Sequence, residues 1–312
     1  MGDTFALPAQ PPSRRFDRQG LNLAPSTLGD TVRGVANLLL RIVAAMRVEQ
    51  LAGSMLQADD TGLPVLDGES GHAVSGRLWV YLDRRHVVYD FTPTKHGAGP
   101  AAYLQGFQGL LLADGGSEFK EAVARMGLTR AGCWSHARRH FVDAEETSPA
   151  LAGYAIAQVA ELFAIERRPD MADIEVRART RATETRNALN GLHAWLKAQV
   201  HTLRPRSPIG RAVHYALNQW PYLSACADNP DLPIHNNASE LHLRRPVIRR
   251  KNWLFAGSEG GAKSAATLFS LTASCRLHGI DPGAYLVGVL ARINDHPAHR
   301  VSEFTPAAWA GK

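Results

Sequence analysis

The order of its short apolar runs is the feature that most constrains what this chain can fold into. Runs rich in Leu, Val and aromatic residues, bounded by Gly, Pro and Asp, predict strands at 55–66, 77–82, 86–92 and 109–114. The first three follow one another closely, as an antiparallel meander requires. Helices at 100–107 and 117–126 and a fifth strand at 129–134 complete the pattern. This order predicts a mixed α/β sheet, with three antiparallel strands followed by parallel crossovers.

Helical spacing dominates the rest of the chain. A long amphipathic helix is predicted from an N-cap at Ser26 or Thr27 to the neighbourhood of Gly53. Towards the C-terminus the pattern predicts a short helix at 236–245, followed by a basic loop. Two further helices are predicted at 261–278 and 282–293. We therefore expect five regions: a basic, flexible arm (1–25), a linker helix (26–53), the first part of the sheet domain (54–134), an all-helical insertion (135–226) and the second part of the sheet domain (227–312).

Composition narrows the class of protein without deciding it. The 312 residues are 45% hydrophobic, enough for a buried core, and the net charge of +6 fits a polyanionic partner such as nucleic acid. Three scattered cysteines do not resemble a disulfide framework and favour a reducing compartment. The longest apolar stretch, 35–46, is interrupted by Asn37 and Arg41, well short of the ~18 apolar residues that a membrane span needs.

Three acidic residues stand where sites are commonly built in α/β proteins. Asp59 lies near the start of the first predicted strand, Asp114 ends the fourth, and Glu240 begins a helix. Three carboxylates brought together repel one another unless divalent cations neutralise them. Carboxylate oxygens suit Mg²⁺ or Mn²⁺, and a pair of such ions supports in-line displacement at phosphorus. Taken one at a time, each acid could equally be a turn or cap residue.

Seven segments in order over roughly residues 20–310 resemble the transposases of the insertion-sequence-66 family. The segments are ADDTGLPVL (58–66), GRLWVYLD (76–83), GLLLADG (109–115), GCWSHARRHF (132–141), GRAVHYALNQW (210–220), HNNASELHLRRPVIRRKNWLFAGSEGGAKSAATLFSL (235–271) and GIDPGAYLVGVLARINDHP (279–297).

This resemblance implies a ribonuclease-H-like fold, an α/β mixed five-stranded sheet with flanking helices and an all-helical insertion. It implies an Asp-Asp-Glu DNA transposase in which Asp59, Asp114 and Glu240 are both the catalytic residues and the ligands of two Mg²⁺ ions, with Mn²⁺ as a substitute. Asp60 is the rival for the first position. Adjacent strand residues point to opposite faces, so one of the two aspartates joins the cluster, and the family pattern favours Asp59, two residues before Thr61.

Two departures from the family pattern support other hypotheses. His235 stands where the family usually has Asp, just before the glutamate helix. The chain also starts close to the linker before the catalytic domain, without the family's N-terminal zinc-binding and DNA-recognition region. The alternative is therefore a truncated, transposition-defective DNA-binding remnant. A third hypothesis, a nuclease acting alone without strand transfer, is disfavoured by the long helical insertion.

Two further clusters have both functional and structural interpretations. Cys133, His136 and His140 could bind a metal, but structural zinc normally takes four ligands. A place for His136 near the active site is favoured, with Cys133 and Trp134 equally well explained as core. The basic run after Glu240 is either a solvated face or a set of phosphate contacts, and we favour the contacts. The predicted DNA-binding residues are Arg244, Arg245, Arg249, Arg250, Lys251, Asn252 and Lys263, and the predicted near-site residues are His136, Asn236 and Asn237.

By resemblance, the expected partner is DNA, both the transposon ends and the target. A homo-oligomer and small accessory proteins encoded by the same element are also expected. No membrane association is expected, and the expected location is the bacterial cytosol, on the nucleoid when DNA is bound.

Overall fold

The computed structural model describes residues 16, 18–66, 72–250 and 256–311. Most of the predicted arm, 1–25, lies outside these residues. The chain divides into two compact units, which we describe separately. The first unit comprises Met1–Gln108 and Ala238–Lys312, and the second comprises Gly109–Asn237.

The strands form one mixed sheet in the order β3-β2-β1-β4-β5. The pairs β1–β2 and β2–β3 are antiparallel, whereas β4 and β5 are parallel. The strand bounds are β1 Met55–Leu66, β2 Ala73–Leu82, β3 Val87–Thr92, β4 Leu110–Leu112 and β5 Thr129–Ala131. The predicted mixed five-stranded α/β sheet is therefore confirmed, and the architecture is consistent with a ribonuclease-H-like fold.

The first unit begins with helix α1, Pro25–Leu51, whose apolar stripe is buried at Leu39, Ile42 and Met46. The prediction of an N-cap at Ser26 or Thr27 is wrong. The helix starts at Pro25 and its N-cap, Ala24, has no side-chain hydrogen bond. Proline suits a first helical position because its missing amide hydrogen would have no helical partner there.

The C-terminal part of the first unit consists of helices packed on or beside the three antiparallel strands. Their bounds are α10 Asn237–Arg250, α11 Glu259–Leu277, α12 Pro282–Leu290 and α13 Pro306–Ala310, with a 3₁₀ segment at Ala298–Phe304. The predicted basic loop after residue 245 is wrong, because α10 continues through the basic run to Arg250. A further short helix, α2 (Ala98–Tyr103), follows β3.

Strand β3 is an edge of the sheet, and serines of α11 satisfy its outer amides. Ser270 Oγ accepts from Tyr89 N at 2.8 Å, and Ser274 Oγ accepts from Val87 N at 2.9 Å. Four residues along a helix rise about 6 Å, and two residues along a strand span about 6.6–6.8 Å. Because the two spacings match, two serines on one face of α11 can bind two successive outward-facing amides of β3. Without them, these amides of the edge strand would have no partner in the sheet.

The second unit is mainly helical outside β4 and β5. Its helices are α3 Ser117–Met126, α4 Trp134–Val142, α5 Pro149–Glu166, α6 Ile174–Thr180, α7 Arg186–Val200, α8 Pro208–Asn218 and α9 Trp220–Leu223, with a π-helical segment at Arg181–Thr185. Across the residues described, no helix is both long and apolar enough to cross a membrane.

Candidate active site

The two adjacent aspartates of β1 lie on opposite faces of the sheet. Asp59 pairs across the sheet with Val80, and Val80 pairs with Tyr89. Both of these partners belong to the core cluster that contains Leu243 of α10 and residues of α11. Because side chains alternate along a strand, Asp59 points to the face that α10 and α11 cover.

Asp60 points the other way, into a setting of its own. It pairs with Trp79 across the sheet, and its carboxylate forms ion pairs with Arg77 at 3.0 Å and Lys95 at 3.6 Å. The Asp60 side chain is 7% exposed, so these two cations compensate a nearly buried charge. Asp60 thus has a structural explanation that does not require a metal ion.

Glu240 lies in the first turn of α10, in the same unit as Asp59. The helix buries Ser239, Leu243 and Pro246, which share one face at intervals of four and three residues. Glu240 is one position beyond Ser239 and is half-buried, at the border of the packed face. Asn236 and Asn237 precede it; Asn236 is fully buried and Asn237 is exposed.

His242 is two residues beyond Glu240 and was not among the predicted site residues. Burial, with a smaller contribution from Arg245, lowers the pKa of His242 to about 4. The ring is therefore neutral at pH 7. The His242 carbonyl accepts a hydrogen bond from the Tyr89 hydroxyl at 2.8 Å.

Asp114 lies two residues after the end of β4, in the second unit, and its Oδ1 accepts from Gly116 N at 3.0 Å. Its backbone carbonyl accepts from the Arg130 guanidinium, which also donates to Gln219 Oε1. Arg130 is 3% exposed, and its guanidinium lies 3.9 Å from the centre of the Tyr222 ring. Burial lowers the pKa of Arg130. Arg130 was not predicted as a site residue, because its contacts with Gln219 and Tyr222 span long stretches of chain.

The CWSH segment anchors the chain that leads to Glu240. Cys133 Sγ accepts from Asn236 N at 3.2 Å, and Trp134 N donates to Ile234 O at 2.9 Å. Cys133 and Trp134 are buried, as the core interpretation expects. The three cysteines Cys133, Cys226 and Cys275 are all described, and each is buried and free.

Of the histidines of this region, His140 and His235 make aromatic or backbone contacts within the second unit. His136 lies in the first turn of α4 and is half-buried. His140 packs on Tyr215, with ring centres 4.0 Å apart, and burial lowers its pKa. His235, the position that departs from the family pattern, stacks on Phe163 at 5.7 Å, and its Nδ1 accepts from Asn237 N at 3.4 Å.

Comparison with known proteins decides which family these features represent. A family model described as "Transposase IS66 family" matches residues 4–264, and a model described as "IS66 C-terminal element" matches residues 270–307. The chain belongs to the IS66 transposase family.

The chain is also similar in sequence to three proteins of Sinorhizobium fredii (strain NBRC 101917 / NGR234). Uncharacterized protein y4hP is 30% identical over 98% of this chain and 60% of its own length. Uncharacterized proteins y4qI and y4jD are 30% and 29% identical over 93% and 92% of this chain, and 57% and 59% of their own lengths. The chain thus spans about three fifths of the length of these relatives.

In this IS66 family member, those predicted DNA-binding residues that the structure describes fall on two helices. Arg244 and Arg245 are exposed on α10, and the backbone of Arg249 and Arg250 lies in the last turn of that helix. Lys263, in the second turn of α11, has a 65% exposed side chain 4.0 Å from Glu259. Lys251 and Asn252 lie outside the described residues.

Proposed function

We propose that this family member is the catalytic part of a DNA transposase that cleaves phosphodiester bonds and transfers strands in the transposition of an insertion sequence. The observation that carries the proposal is the family match over 4–264 and 270–307. Asp59, Asp114 and Glu240 are proposed as the catalytic carboxylates and as the ligands of two Mg²⁺ ions, which Mn²⁺ can replace.

The arrangement of β1 supports the choice of Asp59 as the first carboxylate. Asp59 points to the sheet face packed against α10, the helix that carries Glu240, whereas Asp60 is engaged by Arg77 and Lys95 on the other face. Two ion pairs already compensate the charge of Asp60 on its own face of the sheet. Alternation along the strand therefore favours Asp59.

The chemistry of the donors fits a hard divalent cation. Three carboxylates offer the oxygen ligands that Mg²⁺ prefers, with no soft ligand among them. Two such ions, when bound, would activate the attacking oxygen and stabilise the leaving oxygen during displacement at phosphorus. In the second unit, Arg130 and the Gly116 amide hold the Asp114 segment.

The basic residues of α10 and α11 are proposed to contact DNA phosphates. Arg244 and Arg245 are exposed four and five residues after Glu240, so a backbone bound at Glu240 would pass beside them. Lys263 is proposed to do the same in α11, and Arg249, Arg250, Lys251 and Asn252 continue the set. His136, Asn236 and Asn237 are proposed to lie near the reacting groups.

The remaining predictions extend the same proposal. Residues 135–226 are proposed as the helical insertion between the two parts of a ribonuclease-H-like domain. We propose that the substrates are the transposon ends and the target DNA. The protein is proposed to act as a homo-oligomer, together with accessory proteins encoded by the same element. Its proposed location is the bacterial cytosol, on the nucleoid when DNA is bound.

Cleavage of supercoiled plasmid with and without Mg²⁺ or Mn²⁺ tests the proposal. We expect metal-dependent nicking by the wild type, and its loss in both Asp114→Asn and Glu240→Gln. Glu259→Gln, a change of an exposed acid on α11, is the matched control and should cleave normally. Equal activity in all variants would refute the assignment. DNA binding without cleavage in the wild type would favour the transposition-defective alternative.

A further inference from the structure

The helix that carries Glu240 contains a proline in its interior. Helix α10 spans Asn237–Arg250, and Pro246 lies within it. Proline has no amide hydrogen, and its ring crowds the carbonyl four residues earlier. That carbonyl belongs to His242, so the helix cannot supply its usual hydrogen-bond donor.

Tyr89 supplies a donor from outside the helix. Its hydroxyl donates to the His242 carbonyl at 2.8 Å, the acceptor that Pro246 leaves without an amide. The Tyr89 side chain is firmly held, because the residue is 4% exposed and its ring packs edge-on to Phe269 at 5.9 Å. Its backbone amide is also fixed, by Ser270 Oγ at 2.8 Å.

We propose that Tyr89 is a positioning residue for Glu240, acting as the external partner of the helix turn that Pro246 interrupts. Glu240 and His242 share the part of α10 that precedes the proline. The hydrogen bond from Tyr89 ties the His242 carbonyl to β3. It therefore fixes the rotation of this segment of α10 about the helix axis and its position along that axis, and with them the direction of the Glu240 side chain. The catalytic consequence rests on the proposed function; the effect on the helix does not.

A double-mutant cycle separates this role from ordinary stabilisation. The variants are Tyr89→Phe, which removes the hydroxyl, Pro246→Ala, which returns an amide hydrogen to the helix, and the combination of both. Tyr285→Phe is the matched control, because the Tyr285 hydroxyl also donates to a backbone carbonyl, that of Phe304, at 2.6 Å in the same unit.

Two readouts are needed. Hydrogen exchange of the α10 peptide 238–248 is measured on the protein without metal or DNA. We expect about fivefold faster exchange of this peptide in Tyr89→Phe, the effect of one net hydrogen bond. The Mg²⁺ concentration for half-maximal plasmid cleavage should rise about threefold in Tyr89→Phe. Adding Pro246→Ala should reverse both changes, and Tyr285→Phe should produce neither.

Failure of this inference is distinguishable from failure of the proposed function. The positioning role is refuted if Tyr89→Phe leaves the hydrogen-exchange rate of the α10 peptide unchanged. It is also refuted if Tyr89→Phe changes that rate equally with and without Pro246→Ala. Both results hold whatever reaction the protein catalyses. If the wild type shows no metal-dependent cleavage, the proposed function fails, and the exchange cycle still decides whether Tyr89 fixes the helix. If exchange follows the cycle but the Mg²⁺ dependence does not, Tyr89 holds the helix without positioning Glu240.

Discussion

The two units of the molecule hold the segments next to the proposed catalytic residues by different kinds of interaction. The second unit uses buried arginines. Arg181 is 1% exposed, pairs with both carboxylate oxygens of Glu166, and reaches the carbonyls of Asn229 and Leu232 at 2.7 and 2.8 Å. Arg130 plays a similar part beside Asp114. In the first unit, β3 and α10 are instead held by neutral hydroxyls. The hydroxyls of Ser270 and Ser274 bind β3, and the hydroxyl of Tyr89 binds α10.

This difference determines how much each contact contributes to the free energy of unfolding. Hydrogen bonds to a charged group contribute about 1.5–3 kcal/mol, against about 0.5–1.5 kcal/mol for neutral pairs. Removing one member of a buried ion pair also leaves the other without compensation. We therefore expect single substitutions to shift the segments around Asp114 and before Glu240 very little. Helix α10, which carries Glu240, should change its position more readily.

The largest effect is expected at Arg181. Arg181→Leu leaves Glu166 and several carbonyls of 226–232 without their donor, and should lower the free energy of unfolding by about 3–5 kcal/mol in urea denaturation. Arg186→Leu is the control, since its pair with Asp228 has side chains 43% and 66% exposed. That variant should lose less than about 1 kcal/mol. Equal losses would show that the buried arginine does not fasten the second unit.

A smaller effect is expected at Ser274. Ser274→Ala removes the acceptor of the Val87 amide and should cost about 1–2 kcal/mol in the same measurement, because a buried edge amide loses its partner. Ser264→Ala is the matched control on α11: its hydroxyl donates to the Gly260 carbonyl within the helix, and we expect less than about 0.5 kcal/mol. If the two variants are equally stable, the serines do not cover the edge of β3.

The effect expected at His242 is a change in the pH dependence of stability, which develops only as the pH falls below neutrality. Its folded pKa of about 4 is below the ordinary 6.5, so the unfolded chain binds the proton more readily. The stabilisation from the neutral ring is complete above pH 6.5 and is lost as the pH falls towards 4. His242→Gln should therefore flatten the dependence of melting temperature on pH between 7 and 5. An unchanged slope would mean that His242 is not buried in its neutral form.

Local pattern predicted most of the fold. The predicted strand 55–66 matches β1, and the predicted helix 117–126 matches α3, because alternation and helical spacing record which face is buried. The error at the basic run has a physical reason. An interior proline disfavours a helix, and the donor that the His242 carbonyl receives instead comes from Tyr89, 153 residues from His242 in sequence.

The candidate site was predictable to a lesser degree. The triad Asp59, Asp114 and Glu240 came from family resemblance, and spacing alone did not separate Asp59 from Asp60. The ion pairs of Asp60 with Arg77 and Lys95 are long-range contacts that the sequence does not display. The same is true of the contacts that Arg130 and Arg181 make with Gln219 and Leu232.

Metal-dependent cleavage of supercoiled plasmid by Asp59→Asn beside Asp60→Asn tests the central claim most directly. Both variants must first show cooperative melting, because Asp60→Asn also weakens two ion pairs. The account predicts that Asp59→Asn loses cleavage by at least about a hundredfold in Mg²⁺, since a metal ligand is gone, while folded Asp60→Asn stays within about tenfold of the wild type. Full activity in Asp59→Asn, or loss confined to Asp60→Asn, would contradict it.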